Sequence, residues 1–482
     1  MIHKYYLGGI YILLDVDSGA VHIVDKIIFD ILDFVDLPLA EHCPKNILDN
    51  ENLQQYNQQD LIDAYNEIYE LYKTGQLFSC NNYEKFTKNQ FDMPVKAMCL
   101  HVAHDCNLRC KYCFASTGNF GHERNLMPLD VAKKAVDFLI THSNGRKNLE
   151  MDFFGGEPLM NFDVVKETVK YAREQEKIYN KNFRFTITTN GVLLDDDKID
   201  FINKEMSNVV LSLDGRRTVN DYMRPTINGQ GSYDVIVPKF QKLVKERNYE
   251  NYYIRGTFTK NNLDFVNDIK HFSDLGFDQL SLEPVVTEAC NLYAIDDADM
   301  PKIFNEYENL TNEMIRRMVN KQKIINQGGI DEDINIHDKP FNFFHFMIDL
   351  EQGPCVMKRL RGCGSGNEYI AVTPEGDIYP CHQFVGKTEW KMGSVLENSF
   401  NLDIKKTFAE TNIFTKQDCK DCWAKFYCSG GCSANNLFYA GSLNKPFKLS
   451  CKMMKKRLEC AIMIRILEKS LKQNSDIKDC EK

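Results

Sequence analysis

Cys106-Asn107-Leu108-Arg109-Cys110-Lys111-Tyr112-Cys113 places three thiols within eight residues, at offsets of four and three. An apolar run from Ala97 to Ala103 precedes it and reads as a strand, so the cysteines fall in the loop after that strand. Three thiolates this close can reach one metal centre. A cubane of four irons wants four thiolates, and three leave one iron open to bind a small molecule and pass it an electron. A structural zinc site is the alternative, but zinc closes with four ligands, usually as two cysteine pairs, and a local fourth ligand is missing.

Outward from this stretch, strand patterns alternate with amphipathic helices from Lys96 to about residue 320. The strand candidates are Ala97–Ala103, Leu149–Phe154, Arg184–Thr189, Val209–Leu213, Tyr252–Phe258 and Gln279–Glu283. Val131, Ala135, Phe138 and Leu139 share one helical face, and Ile236, Phe240, Leu243 and Val244 share another. Such spacing fits βα units on a parallel sheet. Six units imply an α/β fold, a partial (β/α)6 TIM-like barrel with an open side. Polar and glycine-rich motifs follow the strands: Gly155-Gly156-Glu157-Pro158, Thr188-Thr189-Asn190-Gly191, Ser212-Leu213-Asp214-Gly215, and Glu283-Pro284. Carboxyl ends of barrel strands are where chemistry sits.

The Cys-x3-Cys-x2-Cys spacing, followed by the aromatic Phe114, resembles the radical S-adenosylmethionine (SAM) enzymes. The resemblance implies that Cys106, Cys110 and Cys113 hold a [4Fe-4S] cluster whose open iron chelates SAM. It implies that Gly155, Gly156 and Glu157 serve the SAM amino group, with Thr189 and Asn190 at the next strand end. Ser212 and Asp214 are candidates for the ribose, Arg224 for a bidentate clamp on the SAM carboxylate, and Glu283 for the adenine or ribose. A solvated surface role is the alternative for Arg224, and a plain βα turn for Gly-Gly-Glu.

Composition sets the outer limits. The 482 residues imply several domains, and 43% hydrophobic with 26% charged residues suits a globular chain with a large core. A net charge of −9 offers no basic footprint for nucleic acid. No run approaches the roughly eighteen apolar residues of a membrane helix. The first apolar run is broken by Asp15 and Asp17, unlike a signal peptide, so a cytoplasmic location is expected. In a reducing compartment 17 cysteines point to metal rather than disulfides. Cys43, Cys80, Cys99, Cys290, Cys460 and Cys480 belong to no motif and read as ordinary thiols.

Residues 1–95 form the first expected domain. Tyr11–Asp15 and Ala20–Val24 read as a hairpin around Asp17-Ser18-Gly19. Asp25 is placed to cap a helix bearing Ile27, Ile28, Ile31, Leu32 and Val35, and a second helix spans roughly Asp60 to Thr74. The pattern resembles the winged-helix-like peptide-recognition domain of enzymes that modify ribosomal peptides, where a leader peptide adds a strand to a sheet edge. A plain cap on the barrel is the alternative.

The barrel spans 96–320 and a linker 321–354; a cysteine-rich region covers 355–482. Cys363, Cys381 with Gly376 five residues before it, Cys419-x2-Cys422-x5-Cys428-x3-Cys432, and Cys451 resemble the SPASM extension of radical SAM enzymes. That resemblance implies two auxiliary [4Fe-4S] clusters, three clusters in all. Cys363, Cys381 and Cys432 would hold the first auxiliary cluster; Cys419, Cys422, Cys428 and Cys451 the second. Either the first keeps an open iron or Cys355 is its remaining ligand. A zinc domain built from Cys419, Cys422, Cys428 and Cys432 is the alternative.

Taken together the chain resembles a peptide maturase. Gly8-Gly9, Leu14 to Val21, Gly362 to Glu368 and Tyr379 to Phe384 are similar to the maturases of SCIFF peptides, cysteine-rich ribosomal precursors. This implies thioether bonds from cysteine sulfur to carbon, a leader-bearing precursor peptide as partner, and reduced ferredoxin or flavodoxin as electron donor. The anaerobic sulfatase maturases, which make formylglycine, carry a catalytic aspartate directly after the cysteine matching Cys381; here His382 stands there. A metal-stabilised peptide-binding protein without catalysis is the remaining reading.

Overall fold

The computed structural model describes residues 1–80, 83–87, 93–351 and 359–480, excepting the side chains of 473–480. The chain opens with β1 (Ile2–Leu7), β2 (Ile10–Asp15) and β3 (Val21–Val24), antiparallel in that order. The expected hairpin is β2–β3. The sequence reading overlooked β1, because His3 and Lys4 interrupt its apolar alternation. Its turn was legible: Gly8 and Gly9 both take positive φ, +57° and +86°, between Leu7 and its ladder partner Ile10. The first helix covers Lys26–Ile31 and stops short of Val35. Asp30 and Asp33 at its carboxyl end oppose the helix dipole. The second covers Gln58–Lys73, capped by Asn57, whose side-chain oxygen accepts from the Asp60 amide at 2.8 Å. It buries Leu61, Ala64, Tyr65 and Ile68 against Leu13, Ile28 and Ile31, so this accessory unit has its own core.

In the barrel, β4 (Ala97–Ala103), β5 (Asn148–Gly155), β6 (Asn182–Thr189), β7 (Met206–Ser212), β8 (Tyr252–Phe258) and β9 (Gln279–Pro284) lie parallel in sequence order. Along β5, Leu149, Met151 and Phe153 are fully buried in the main core, while Glu150, Asp152 and Phe154 alternate onto the lumen face.

Two features depart from the expected division. Within the region read as a linker, β10 (Asn342–Phe343) pairs parallel with β9. From the cysteine-rich region, β11 (Tyr369–Val372) pairs parallel with β4, and β12 (Asp377–Tyr379), β13 (Gly393–Ser394) and β14 (Ser399–Phe400) follow antiparallel. The result is one eleven-stranded sheet. Six strands that do not close leave two edges with unpaired backbone groups, and these added strands cover both. The cysteine-rich region is therefore sewn onto the barrel beside the first cysteine loop.

The final helix, Lys448–Cys480, also holds the accessory unit, Tyr5 donating to the Glu459 carbonyl at 3.0 Å, and outside that helix His3 stacks on Trp423 at 3.7 Å. The helix Met300–Asn326 is fastened by Arg317, which is 2% exposed and donates to Glu313, Ser273 and the Lys339 carbonyl at 2.7, 2.6 and 2.9 Å. Arg317→Met should cost about 3 kcal/mol of stability, as removal of one partner from a buried pair does. An unchanged denaturation midpoint would show that packing alone holds this helix. Among the described residues, no helix is long and apolar enough to cross a membrane.

Candidate active site

The first cysteine loop leaves β4 after Ala103. Asp105 caps it by accepting from the Cys106 amide at 2.8 Å. The Leu108 amide lies 3.4 Å from the Cys106 sulfur, and the Asn190 side-chain amide lies 3.7 Å from it. That amide also donates to Asn107 at 2.8 Å, which ties the end of β6 to the loop. Burial raises the Cys106 thiol to about 11, and Glu157 and Cys113 push the same way. Burial raises Cys110 to about 12; Arg224 opposes this, while Asp214, Cys113 and Cys106 add to it. Buried thiols that repel one another's ionisation suit a cationic metal centre, which deprotonates its thiol ligands outright.

Beside the loop the backbone leaves no room for side chains. A Cβ on Gly156 would sit 2.1 Å from the Asp105 carbonyl oxygen, and one on Gly155 would sit 2.1 Å from that of Ala103. Gly155 also holds φ at +130°. Glu157 is buried and accepts from Leu159 N, Thr189 Oγ1 and Asn190 N at 3.1, 2.7 and 2.8 Å. Three of its roughly four acceptor positions are thus filled, and at most one faces a ligand. Thr189 serves Glu157, while Ser212 remains half-buried on the lumen side of β7.

Asp214, the residue expected at the ribose, lies just past β7 in a buried polar cluster. It is fully buried, accepts from Tyr112 Oη at 2.7 Å and from the Thr257 amide at 3.1 Å, and lies 3.7 Å from Arg224 Nη1. Arg224 in turn donates to Tyr112 Oη at 2.9 Å. Asp214 and Tyr112 therefore position Arg224, which is 8% exposed and whose Nε has no hydrogen-bond partner among the described residues. An unfilled guanidinium donor inside the cradle fits a carboxylate ligand such as that of SAM, and a solvated surface role is excluded by its burial.

Glu283, the residue expected at the adenine or ribose, sits in a cluster of ion pairs at the end of β9. It lies 3.7 Å from Arg457 on the final helix, 3.4 Å from His345 and 3.8 Å from Arg255. Burial would raise its carboxyl, but the surrounding cationic groups win and leave it at about 2. Burial lowers His345 to about 3 against the pull of Glu283. The carboxylate also bears on Cys432.

The remaining cysteines separate into two groups. Cys381 feels Cys432 and Cys363; Cys419 feels Cys428, Cys451 and Cys422. Burial raises Cys419 to about 12 and Cys451 to about 11. Cys355 lies outside the described residues. Among the described residues, no three His, Cys, Asp or Glu side chains converge on a single-ion site.

Between the first loop and the Cys381 group stands His382, its ring 5.4 Å from Phe114 and 5.2 Å from Phe154. Burial, with Arg255 adding, lowers it to about 4. Sequence reasoning passed over Tyr112, Asp152, Arg255 and Arg457. Tyr112 lay inside the quoted motif. Asp152 breaks the apolar run of β5 on its lumen face, and burial lifts its carboxyl to about 6, with Glu150 adding and Thr186 opposing. Arg457 sits on a helix with no motif at all.

Residues 100–269 match the radical SAM superfamily, and residues 363–423 match the SPASM iron–sulfur cluster-binding domain. An uncharacterized protein of Methanocaldococcus jannaschii is 30% identical over 227 residues, 46% of this chain and 72% of the relative. The cysteine-type anaerobic sulfatase-maturating enzyme of Clostridium novyi is 24% identical over 351 residues, 69% of this chain and 86% of the relative. The solved structure of native anSMEcpe with bound AdoMet and the Kp18Cys peptide superposes with a TM-score of 0.61 at 20% identity, covering 79% of this chain and 100% of that one.

Proposed function

The chain belongs to the radical SAM superfamily and carries a SPASM extension, and from that premise we propose that it is a maturase of a cysteine-containing peptide or protein. Its cofactors are SAM and several iron–sulfur clusters. The observation that carries the proposal is the contact between Phe114 and His382: each directly follows a cysteine of a proposed cluster set, so the first cysteine loop and the Cys381 loop meet at Phe154 and His382. Cys106, Cys110, Cys113 and Arg224 would hold the first cluster and SAM, whose chemistry when bound would be abstraction of a hydrogen atom from substrate beside Phe154 and His382. The substrate would then give up its thiol proton and one electron, the electron passing to the clusters that the later cysteines would hold. Asp152, on the lumen face below Phe154, is the carboxylate placed to accept that proton. Arg224 holds the SAM carboxylate, with Tyr112 and Asp214 keeping its guanidinium in place.

Two outcomes share this beginning. In one, the carbon radical joins a cysteine sulfur as a thioether, as in the SCIFF-type reading. In the other, the cysteine's own carbon is oxidised and its sulfur leaves, giving formylglycine. The sulfatase-maturating relatives back the second better. Two features of this chain support the first. His382 stands where those maturases carry their aspartate. About a fifth of this chain lies beyond the sulfatase-maturase fold, which is matched over its whole length. The accessory unit accounts for an extension of that size, and the free edge of β3, with Ile23 57% exposed, suits an added leader strand. Ferredoxin or flavodoxin would supply the electrons.

The deciding experiment incubates anaerobically reconstituted enzyme with SAM, dithionite and a synthetic leader-bearing multi-cysteine peptide, followed by mass spectrometry. A thioether product has lost two hydrogens per bridge and kept every sulfur. Exchange of sulfur for oxygen, with an aldehyde that hydrazines trap, would replace the thioether reading by formylglycine formation. Deleting the β1–β3 unit should abolish modification of the leader-bearing peptide and leave SAM cleavage intact; equal modification without it would reduce that unit to a cap.

A further inference from the structure

Lys416 is 2% exposed and lies three residues before Cys419. Its carbonyl accepts from the Cys419 and Lys420 amides at 2.9 and 3.1 Å, which starts the turn carrying Cys419 and Cys422. Its side chain runs inward, and Nζ donates to the Gly430 carbonyl at 2.8 Å. Gly430 is the middle residue of Ser429-Gly430-Gly431, the short link between Cys428 of one auxiliary group and Cys432 of the other. All three residues of the link take positive φ, +60°, +83° and +75°. A Cβ on Gly430 would stand 2.9 Å from Lys416 Nζ, so the glycine admits the ammonium.

This arrangement joins a cation to both groups. Cys419, Cys428 and Cys451 on one side and Cys432 on the other all bear electrostatically on Lys416. The Gly430–Gly431 peptide is held at its oxygen by the ammonium, and its N–H donates to the Cys428 carbonyl at 3.4 Å, so the cation is fixed to the link between the two groups. Charge and hydrogen bonds at the sulfurs are the means by which a protein sets a cluster's reduction potential. An ammonium this deep also needs compensating negative charge, which cluster-bound thiolates supply.

We propose that Lys416 is a shared electrostatic support of the two auxiliary clusters, raising the reduction potential of both through its charge, which the Gly430 carbonyl holds at the link between them. The proposal rests on the auxiliary-cluster reading given above. It is tested on the full-length chain, reconstituted with iron and sulfide, by redox titration followed by electron paramagnetic resonance. Lys416→Met should move both auxiliary potentials negative by at least tenfold in the reduction equilibrium, about 59 mV for a one-electron couple, and leave the SAM-binding cluster unmoved. Lys416→Arg, which keeps the charge, should hold both near the parent values. Should the methionine variant fail to load, Lys416→Gln keeps a donor to Gly430 without the charge and carries the same expectation. Unmoved auxiliary potentials, or movement of one alone, would overturn the shared role while the iron-loaded parent upholds the cluster reading. Zinc without acid-labile sulfide in the parent would overturn the cluster reading, and the proposal with it.

Discussion

Cys110→Ala is expected to abolish deoxyadenosine formation from SAM under dithionite while the chain still folds and keeps its auxiliary clusters. Cys110 faces Arg224, Asp214, Cys106 and Cys113 together. With it gone, two thiolates remain where a cubane with one open iron requires three. The loss should be confined to this site, because the other cysteines form separate groups on other elements. Iron analysis should find about four fewer irons per chain than in the parent. Retained cleavage in this variant would remove Cys106, Cys110 and Cys113 from the SAM-binding role, however well the pattern matches.

Arg224→Gln should weaken SAM binding by about ten- to hundredfold, the range of one lost hydrogen bond to a charged group. Arg224 is a buried cation held from behind by Tyr112 and Asp214, and its Nε is left without a partner. Such a donor is costly unless a ligand completes it. Arg224→Lys keeps the charge but loses the planar fork, and should fall between the parent and the glutamine variant. Equilibrium binding of SAM to the iron-loaded protein reads this directly. Unchanged affinity in the glutamine variant would show that the guanidinium braces the barrel end and touches no ligand.

The two predictions draw on different information. Cys110 is legible in the chain alone, because cysteines within one short loop must share a neighbourhood whatever the rest of the fold does. The same reasoning recovered the barrel strands: the lumen and outer faces of a strand alternate, so Leu149, Met151 and Phe153 announce themselves as a buried set. The division of the later cysteines into two sets came from the resemblance to the SPASM extension, since spacing alone would join Cys419, Cys422, Cys428 and Cys432.

Only the tertiary structure decided what distant polar residues do. Asp214 and Arg224 were both expected at SAM, and the fold adds Tyr112 as the group that bridges them. Glu283 was expected at the nucleoside, and the fold sets beside it Arg457, from a helix with no motif. The strands β10 and β11 reach the barrel edges from regions read as separate, because unpaired edges take the partner the fold brings to them. Lys416 carried no signal, since a lysine is ordinarily a surface residue; its burial depends on where the Cys428–Cys432 link lies. Spacing within a loop is a property of the chain and can be counted from it. The pairing of charges across the fold is settled by which elements pack together, because a buried charge is tolerable only where packing delivers its partner.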